Sequence, residues 1–413
     1  MQRPARVPHQ SPRRAPRYRE RAPCGYISKS ETGTPHTQPM DNLTHTLFGL
    51  TLARTPLGRV GRGTTVALVL ASNVPDIDFV AAAGGPMKYL EWHRGPTHGA
   101  LGVAGLGLVV AGLVSLGLRK WDNATAKRHP SFLWLWIVAT VGATCHILMD
   151  VPTSYGTRLL SPFDWHWFAE DWLPIVDVYL LAILSAGLWI GRRAAAATPD
   201  LAAIRRARER SAAIALLFVA MNYGLRATAH RQALVQASEL FGSLLPRPCA
   251  SLPDRGLIDR WPVDHEAAPS VSGRCLVEIA AMPSFLSPFR WLVIARVSDA
   301  YQLHHLDLLA GGGADSRVRR NVFWSASRRY PDIWTAAVFQ AATARAAQTF
   351  LGFSRFPAAR SFVDHEGRAT VRWTDMRFAT GDIGSQRART RDLFTVTVHV
   401  NAKGTVEQEG LGP

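Results

Sequence analysis

Apolar residues in this chain are gathered into runs. Gly99 to Leu118 contains no charge, and at about 1.5 Å of rise per residue it can cross a bilayer as a helix. Ser131 to Met149 is apolar until His146, and Pro174 to Ile190 is interrupted only by Asp177. Thr64 to Ala83 is apolar apart from Asp76 and Asp78, and Ser211 to Gly224 is a shorter candidate. Leu43 to Leu57 reads as a first helix, with His45 at its start and Arg54 near its end. It is short enough to lie partly in the interface. Pro75 breaks any helix at Asp76, which frees Asp76 and Asp78 from helical spacing. Gly107, Ala111 and Ser115 recur every four positions, as expected where two helices approach closely in lipid.

Beyond Leu225 the pattern becomes that of a soluble domain. Residues 273–280, 290–298, 368–374 and 393–400 read as strands from their Val, Ile, Phe, Trp and Thr content. Asp332 to Phe350 has amphipathic helical spacing. His304 and His305 point to different faces of any regular element and read as surface or packing residues. There is no internal repeat of fixed period. The fold class expected is mainly α, a multi-pass transmembrane helical bundle with a C-terminal soluble α+β domain. Residues 1–39, rich in Arg and Pro and without an apolar core, read as a disordered basic extension. Met40 looks like a natural start. The membrane domain is expected over 40–228 and the α+β domain over 229–413.

The chain is 47% hydrophobic with a formal net charge of +16, and the placement of that charge matters more than its size. Arg59 and Arg62, Arg119, Lys120, Lys127 and Arg128, and the group Arg192, Arg193, Arg205, Arg206, Arg208 and Arg210 follow successive spans. The positive-inside rule keeps such segments cytoplasmic. No nucleic acid is needed to explain the basicity. The segments 84–98 and 150–173 should face out, the second placing Trp165, Trp167 and Trp172 near the headgroups. The α+β domain is then extracytoplasmic. Of four cysteines, Cys249 and Cys275 share a polar region and could pair there, although spacing alone does not decide it.

Threading the spans alternately brings His45, Asp76, Asp78, His93, His98, His146, Asp150 and Asp177 to the outer ends of their segments. His146 and Asp150, at i and i+4, share a helix face. Ionisable residues bordering membrane spans are costly and tend to mark function. Imidazoles and carboxylates are ligands for zinc and related divalent ions, and eight candidates would allow more than one ion. Arg94 and Arg158 are candidate donors to a developing oxyanion.

Several boxes carry a resemblance: Leu43-Thr44-His45-Thr46-Leu47, Pro75-Asp76-Ile77-Asp78, His93-Arg94-Gly95-Pro96-Thr97-His98, the His146 and Asp150 pair, and Pro152-Thr153-Ser154-Tyr155-Gly156-Thr157 with Ser161-Pro162-Phe163. Together these resemble the YdjM-type family of inner-membrane metal-dependent hydrolases, strongly over Met40 to Ile190. Residues around Ala281-Met282-Pro283 and Pro288-Phe289-Arg290-Trp291 are more loosely similar to the tail of longer members. The order of the boxes is also similar to zinc-dependent phospholipase C and P1-type nucleases. That likeness nominates His45, Asp76, His93, His98, His146 and Asp150 as metal ligands. It leaves Asp78 and Asp177 as supporting groups or a general base, with Arg94 beside them. The resemblance implies a multi-pass bacterial inner-membrane hydrolase using one or more divalent ions, with zinc foremost. That resemblance assigns no substrate; the metal chemistry and the location make a phosphoester, lipid-linked or free, the expected substrate and membrane lipid the expected partner. An ion transporter and a catalytically inactive scaffold are the alternatives.

Overall fold

The structure, a computed structural model, describes residues 42–121, 130–241, 246–249, 258–262, 275–310, 328–379 and 394–411. The expected disordered extension 1–39, with Lys127 and Arg128, lies outside them. The first half is helical: α1 Asn42–Leu52, α2 Thr64–Ala71, α3 Pro86–Trp92, α4 Ala100–Trp121, α5 Phe132–Asp150, α6 Val178–Ala196 and α7 Leu201–Phe241. The last four are long and apolar enough to span a membrane. α2 and the 3₁₀ segment Val74–Gly84 meet at a 43° bend and together would make a fifth span. Pro75 has no N–H to continue α2. One turn earlier Asn73 Nδ2 donates to the Val69 carbonyl at 2.8 Å.

Small residues set the helix spacing, as the four-residue stripe suggested. A Cβ at Gly107 would sit 2.5 Å from Thr140 Oγ1 of α5, so only glycine permits this crossing. The expected first helix ends early, at Leu52, and a 3₁₀ turn Pro56–Val60 follows. The arginines expected in a loop after Ile190 lie on helices instead. Arg192 and Arg193 are in α6, and Arg205, Arg206, Arg208 and Arg210 are in α7. The connection is short because Asp200 caps α7, accepting from Ala202 N at 3.1 Å and Ala203 N at 2.9 Å. At this basic end Arg59 Nε reaches Glu209 at 2.7 Å and Arg54 Nη1 donates to the Leu188 carbonyl at 2.6 Å. His146 and Asp150 lie at the opposite end, at the close of α5, and His98 lies there too, just before α4.

α7 has 41 residues, about 60 Å of helix and twice the hydrocarbon thickness. The expected boundary at 228/229 therefore falls inside it. Ala229, Ala233 and Ala237 pack against a sheet of order β3-β4-β5-β6, formed by β3 Leu276–Pro283, β4 Arg290–Val297, β5 Ala300–Asp307 and β6 Arg328–Pro331. A second antiparallel sheet, of order β10-β9-β8-β7, consists of β7 Pro357–Val363, β8 Ala369–Asp375, β9 Thr395–Val400 and β10 Val406–Leu411. The helix expected over 332–350 is divided into α8 Ala336–Ala341 and α9 Arg345–Phe353. Thr343 closes the break by donating to the Gln340 carbonyl at 2.7 Å. β5, β6, β7 and β10 escaped the sequence reading: β5 carries His304 and His305 side by side, and β10 is largely polar.

The two halves share a core. β1 Trp167–Ala169, in the connection between α5 and α6, pairs with β2 Asp259–Trp261. One apolar cluster joins Leu90, Tyr155 and Trp167 of the first half to Trp261, Phe350, Phe353, Trp373 and Val398 of the second. Cys249 and Cys275 are joined by a disulfide.

Candidate metal centre

Four side chains converge where α4, α5 and the broken span meet: Asp76, His98, His146 and Asp150, all buried, each offering one donor atom within 4.8 Å of the others. His98 Nε2 and His146 Nε2 are 3.4 Å apart. Each lies 3.5 Å from Asp76 Oδ1, and they lie 3.5 and 3.3 Å from Asp150 Oδ2. Donors about 2.0–2.1 Å from a zinc-like ion at tetrahedral angles stand roughly 3.4 Å apart. The five separations above match that edge.

Tautomers sharpen the fit. His146 Nδ1 lies 2.8 Å from the Ser72 carbonyl, a group that needs a hydrogen. The end of α2 leaves that carbonyl free of a helical partner. His98 Nδ1 lies 3.0 Å from Thr97 Oγ1 and 3.4 Å from Asp78 Oδ2, while the Thr97 hydroxyl donates to the same Asp78 oxygen at 3.3 Å. Both imidazoles therefore have a partner that suits a proton on Nδ1, the tautomer that would leave Nε2 bare and turned inward, as in ligating histidines whose outer nitrogen is anchored. In that tautomer two lone pairs would face two carboxylates, and Asp150 Oδ2 has no hydrogen-bond partner. A bound cation would resolve that crowding.

The remaining expected residues take other places. Asp78 sits behind His98, accepting from the Arg94 backbone N–H at 2.6 Å, with His93 Nδ1 3.2 Å from its other oxygen. His93 is thus paired to Asp78 and outside the four-donor group. His45 stacks on His146 with ring centroids 3.9 Å apart, its Nε2 3.6 Å from Asp150 Oδ1. It lies beside the group and not in it. Asp177 is elsewhere: its Oδ1 caps α6, accepting from Tyr179 N at 2.8 Å, and its Oδ2 lies 2.6 Å from Arg226 Nε. Arg158 is also committed, lying over Trp165 and Trp167 and donating to the Glu91 carbonyl.

Arg94 holds the rim. Its Nη2 donates to Asp150 Oδ1 at 3.1 Å and its Nη1 to the Gly156 carbonyl at 3.1 Å, with the guanidinium over the Tyr155 ring. Its backbone is left-handed, φ 50°, a conformation costing an ordinary residue roughly 1–2 kcal/mol. The bond from Arg94 N to Asp78 offsets that strain. Burial opposes the charge on Arg94, but Asp150 and Asp76 outweigh it and hold the guanidinium above its usual value. Burial holds His93 below its usual value against the pull of Asp78, and pushes the Tyr155 phenol up to about 12.

The C-terminal half supports this rim through residues that motif reading missed. Tyr155 packs against Phe353, Phe378 and Phe394. Arg377 Nη1 donates to the Ser154 and Tyr155 carbonyls at 3.0 and 3.1 Å while its other edge grips Asp375. The only sequence signal was the spacing of Asp375 and Arg377, acid and base two apart beyond a strand. Ser72 acts through its carbonyl and leaves no side-chain signal.

The profile of the YdjM inner membrane protein family matches residues 40–233. A Bacillus subtilis (strain 168) protein, "Uncharacterized protein YfhP", is 23% identical over 160 residues, 36% of this chain and 46% of its own. The matched region thus spans about half of that relative's length. No solved structure matches.

Proposed function

We propose, from the match of residues 40–233 to the YdjM inner membrane protein family, a membrane-bound hydrolase that uses a divalent metal, zinc foremost, to cleave a phosphoester in a lipid or lipid-linked substrate. The observation that carries this reading is the convergence of four donors at tetrahedral-edge spacing, two of them histidines anchored at the outer nitrogen. Asp76, His98, His146 and Asp150 would hold the ion. When bound, such an ion supplies Lewis acidity and acidifies water toward neutral pH. Asp78 orients His98, and Arg94 anchors Asp150 through Oδ1, keeping a positive charge at the rim where an anionic oxygen would arrive. His45 and His93 are the nearest further imidazoles for a second ion.

The basic helix ends at the opposite face support a site near the exterior surface of the inner membrane. The disulfide Cys249–Cys275, a bond that persists in oxidising compartments, supports an extracytoplasmic C-terminal half. Donors gathered at helix ends fit an ion transporter poorly, because transport sites lie near the midplane. One observation favours a second reading: four protein donors already complete a tetrahedral shell, as in structural metal sites. A scaffold held together by an ion would look the same.

Metal content of the purified full-length protein, followed by hydrolysis of generic phosphodiesters and phosphomonoesters with and without chelator, tests the proposal. Chelator-sensitive turnover, restored by zinc and lost in His146→Ala, is the expected result. Bound metal with no turnover on any substrate favours the scaffold, and no bound metal sinks both readings.

A further inference from the structure

The β3–β4 connection, residues 284–289, carries Phe285 at 51% and Leu286 at 68% relative exposure. Leu309, in the 3₁₀ turn Leu308–Ala310 that follows β5, is 71% exposed. Strand register puts all three at one end of the sheet, since Arg290 pairs with Asp307 and Leu308 N donates to the Phe289 carbonyl at 2.9 Å. Three large apolar side chains clustered at one tip of a domain mark a contact surface.

The position of that tip identifies the contact. Tyr179, in the first turn of the apolar helix α6, donates its hydroxyl to the Leu286 carbonyl at 3.0 Å. Trp291, near the same end of the sheet, packs against His230 of α7. The other end of the sheet, with Leu276, Val297 and Ala300, belongs to the same cluster as Ala233 and Ala237 further along α7. The strands therefore descend along α7 with their turn toward the span. Just below, the outward face of α7 is apolar, with Phe218, Met221 and Leu225 exposed. Just above, Arg290 and Asp307 form an exposed ion pair at 3.1 Å. The order along the molecule is apolar helix face, Tyr179, apolar tip, then charge, which is the layering of a bilayer's interface.

We propose that the β3–β4 tip, through Phe285 and Leu286 with Leu309 beside them, inserts into the interfacial layer of the membrane that α6 and α7 cross. The partner is the lipid surface itself. The C-terminal half is thereby held at two points, its root on α7 and its tip in lipid, which fixes its position over the metal centre. This inference does not depend on the hydrolase reading.

The test places a nitroxide label at Leu286→Cys in full-length protein reconstituted into phosphatidylglycerol and phosphatidylethanolamine nanodiscs. Glu366→Cys, in the exposed turn between β7 and β8, is the reference, and protein without an added cysteine is the blank. Collision with oxygen, which concentrates in lipid, is compared with collision with a water-soluble nickel chelate. The expected oxygen-to-nickel ratio is several-fold higher at Leu286 than at Glu366, and adding Phe285→Asp lowers it. Equal ratios at the two sites overturn the proposal, because the tip is then in water. Low access to both reagents at Leu286 also overturns it, because the tip is then covered by protein.

Discussion

Replacing Asp78 with Asn tests whether the residue behind the metal centre matters as the geometry requires. The amide keeps the size of the carboxylate and one of its acceptors. Its least costly orientation leaves the oxygen toward the Arg94 N–H and His98, 2.6 and 3.4 Å away in the parent protein, and turns the NH2 toward His93, whose Nδ1 can accept by changing tautomer. What is lost is negative charge behind His98, and with it part of the donor strength of Nε2. Changes of this kind cost about 10–100-fold in metal affinity, about 1.4–2.7 kcal/mol. Competition between the full-length protein and a chromophoric chelator for zinc measures that loss. Thermal unfolding of the metal-free protein is the control, since a donor stranded by the amide would cost about 1–3 kcal/mol with no metal present. Undiminished zinc affinity in Asp78→Asn, alongside lost binding in His98→Ala, would refute the claim that Asp78 tunes its neighbour.

Other perturbations have equally definite outcomes. His146→Ala should remove zinc binding in the chelator assay, whereas Asp177→Asn should leave it intact and lower thermal stability, because Asp177 caps α6 and faces Arg226. Arg377→Met strands the buried Asp375 carboxylate, a change costing about 3–5 kcal/mol, visible as a lowered midpoint in thermal unfolding. Burial pushes the Asp171 carboxyl up from 3.8 to about 6, although Arg355, which it shares with Asp259 and Glu278, pulls it down. The folded state then keeps a proton that the unfolded chain releases. The contribution of this one group to stability is greatest below about pH 4 and falls by up to about 3 kcal/mol as pH rises through 6. Unfolding of the parent and of Asp171→Asn, compared across that window, should differ by this slope. Reducing the Cys249–Cys275 disulfide, which closes a separation of 26 residues, should cost roughly 3 kcal/mol. Maleimide labelling before and after reduction reports the same bond.

Long apolar runs are legible without a structure because a bilayer imposes length and polarity together. The pairing of His146 with Asp150 is legible for a similar reason, helical spacing admitting one outcome. Roles among the carboxylates were not legible. Asp76, Asp78 and Asp177 each border an apolar segment, and only three-dimensional placement separates a donor facing the centre, an acceptor behind His98 and a helix cap. His93 likewise belongs to a box that suggests ligation, yet the left-handed turn at Arg94 delivers its ring to Asp78. Strands such as β10, whose sequence is Val406-Glu407-Gln408-Glu409-Gly410-Leu411, alternate too weakly to be seen. The hold of Arg377 on Ser154 and Tyr155 spans more than half the chain, beyond the reach of any local pattern.

Because Tyr155 is buried by Phe353 and Phe394, synthesis imposes an order on assembly. The polypeptide emerges with its four donors complete once Asp150 has left the ribosome, long before the aromatic residues that close over the adjoining loop. If the centre takes an ion, a nascent protein whose donors have assembled can load it before that cover arrives, and the finished molecule should exchange the ion slowly. Isotopic zinc exchange, slow in the intact protein and rapid in a chain ended before Phe353, would display that trapping directly.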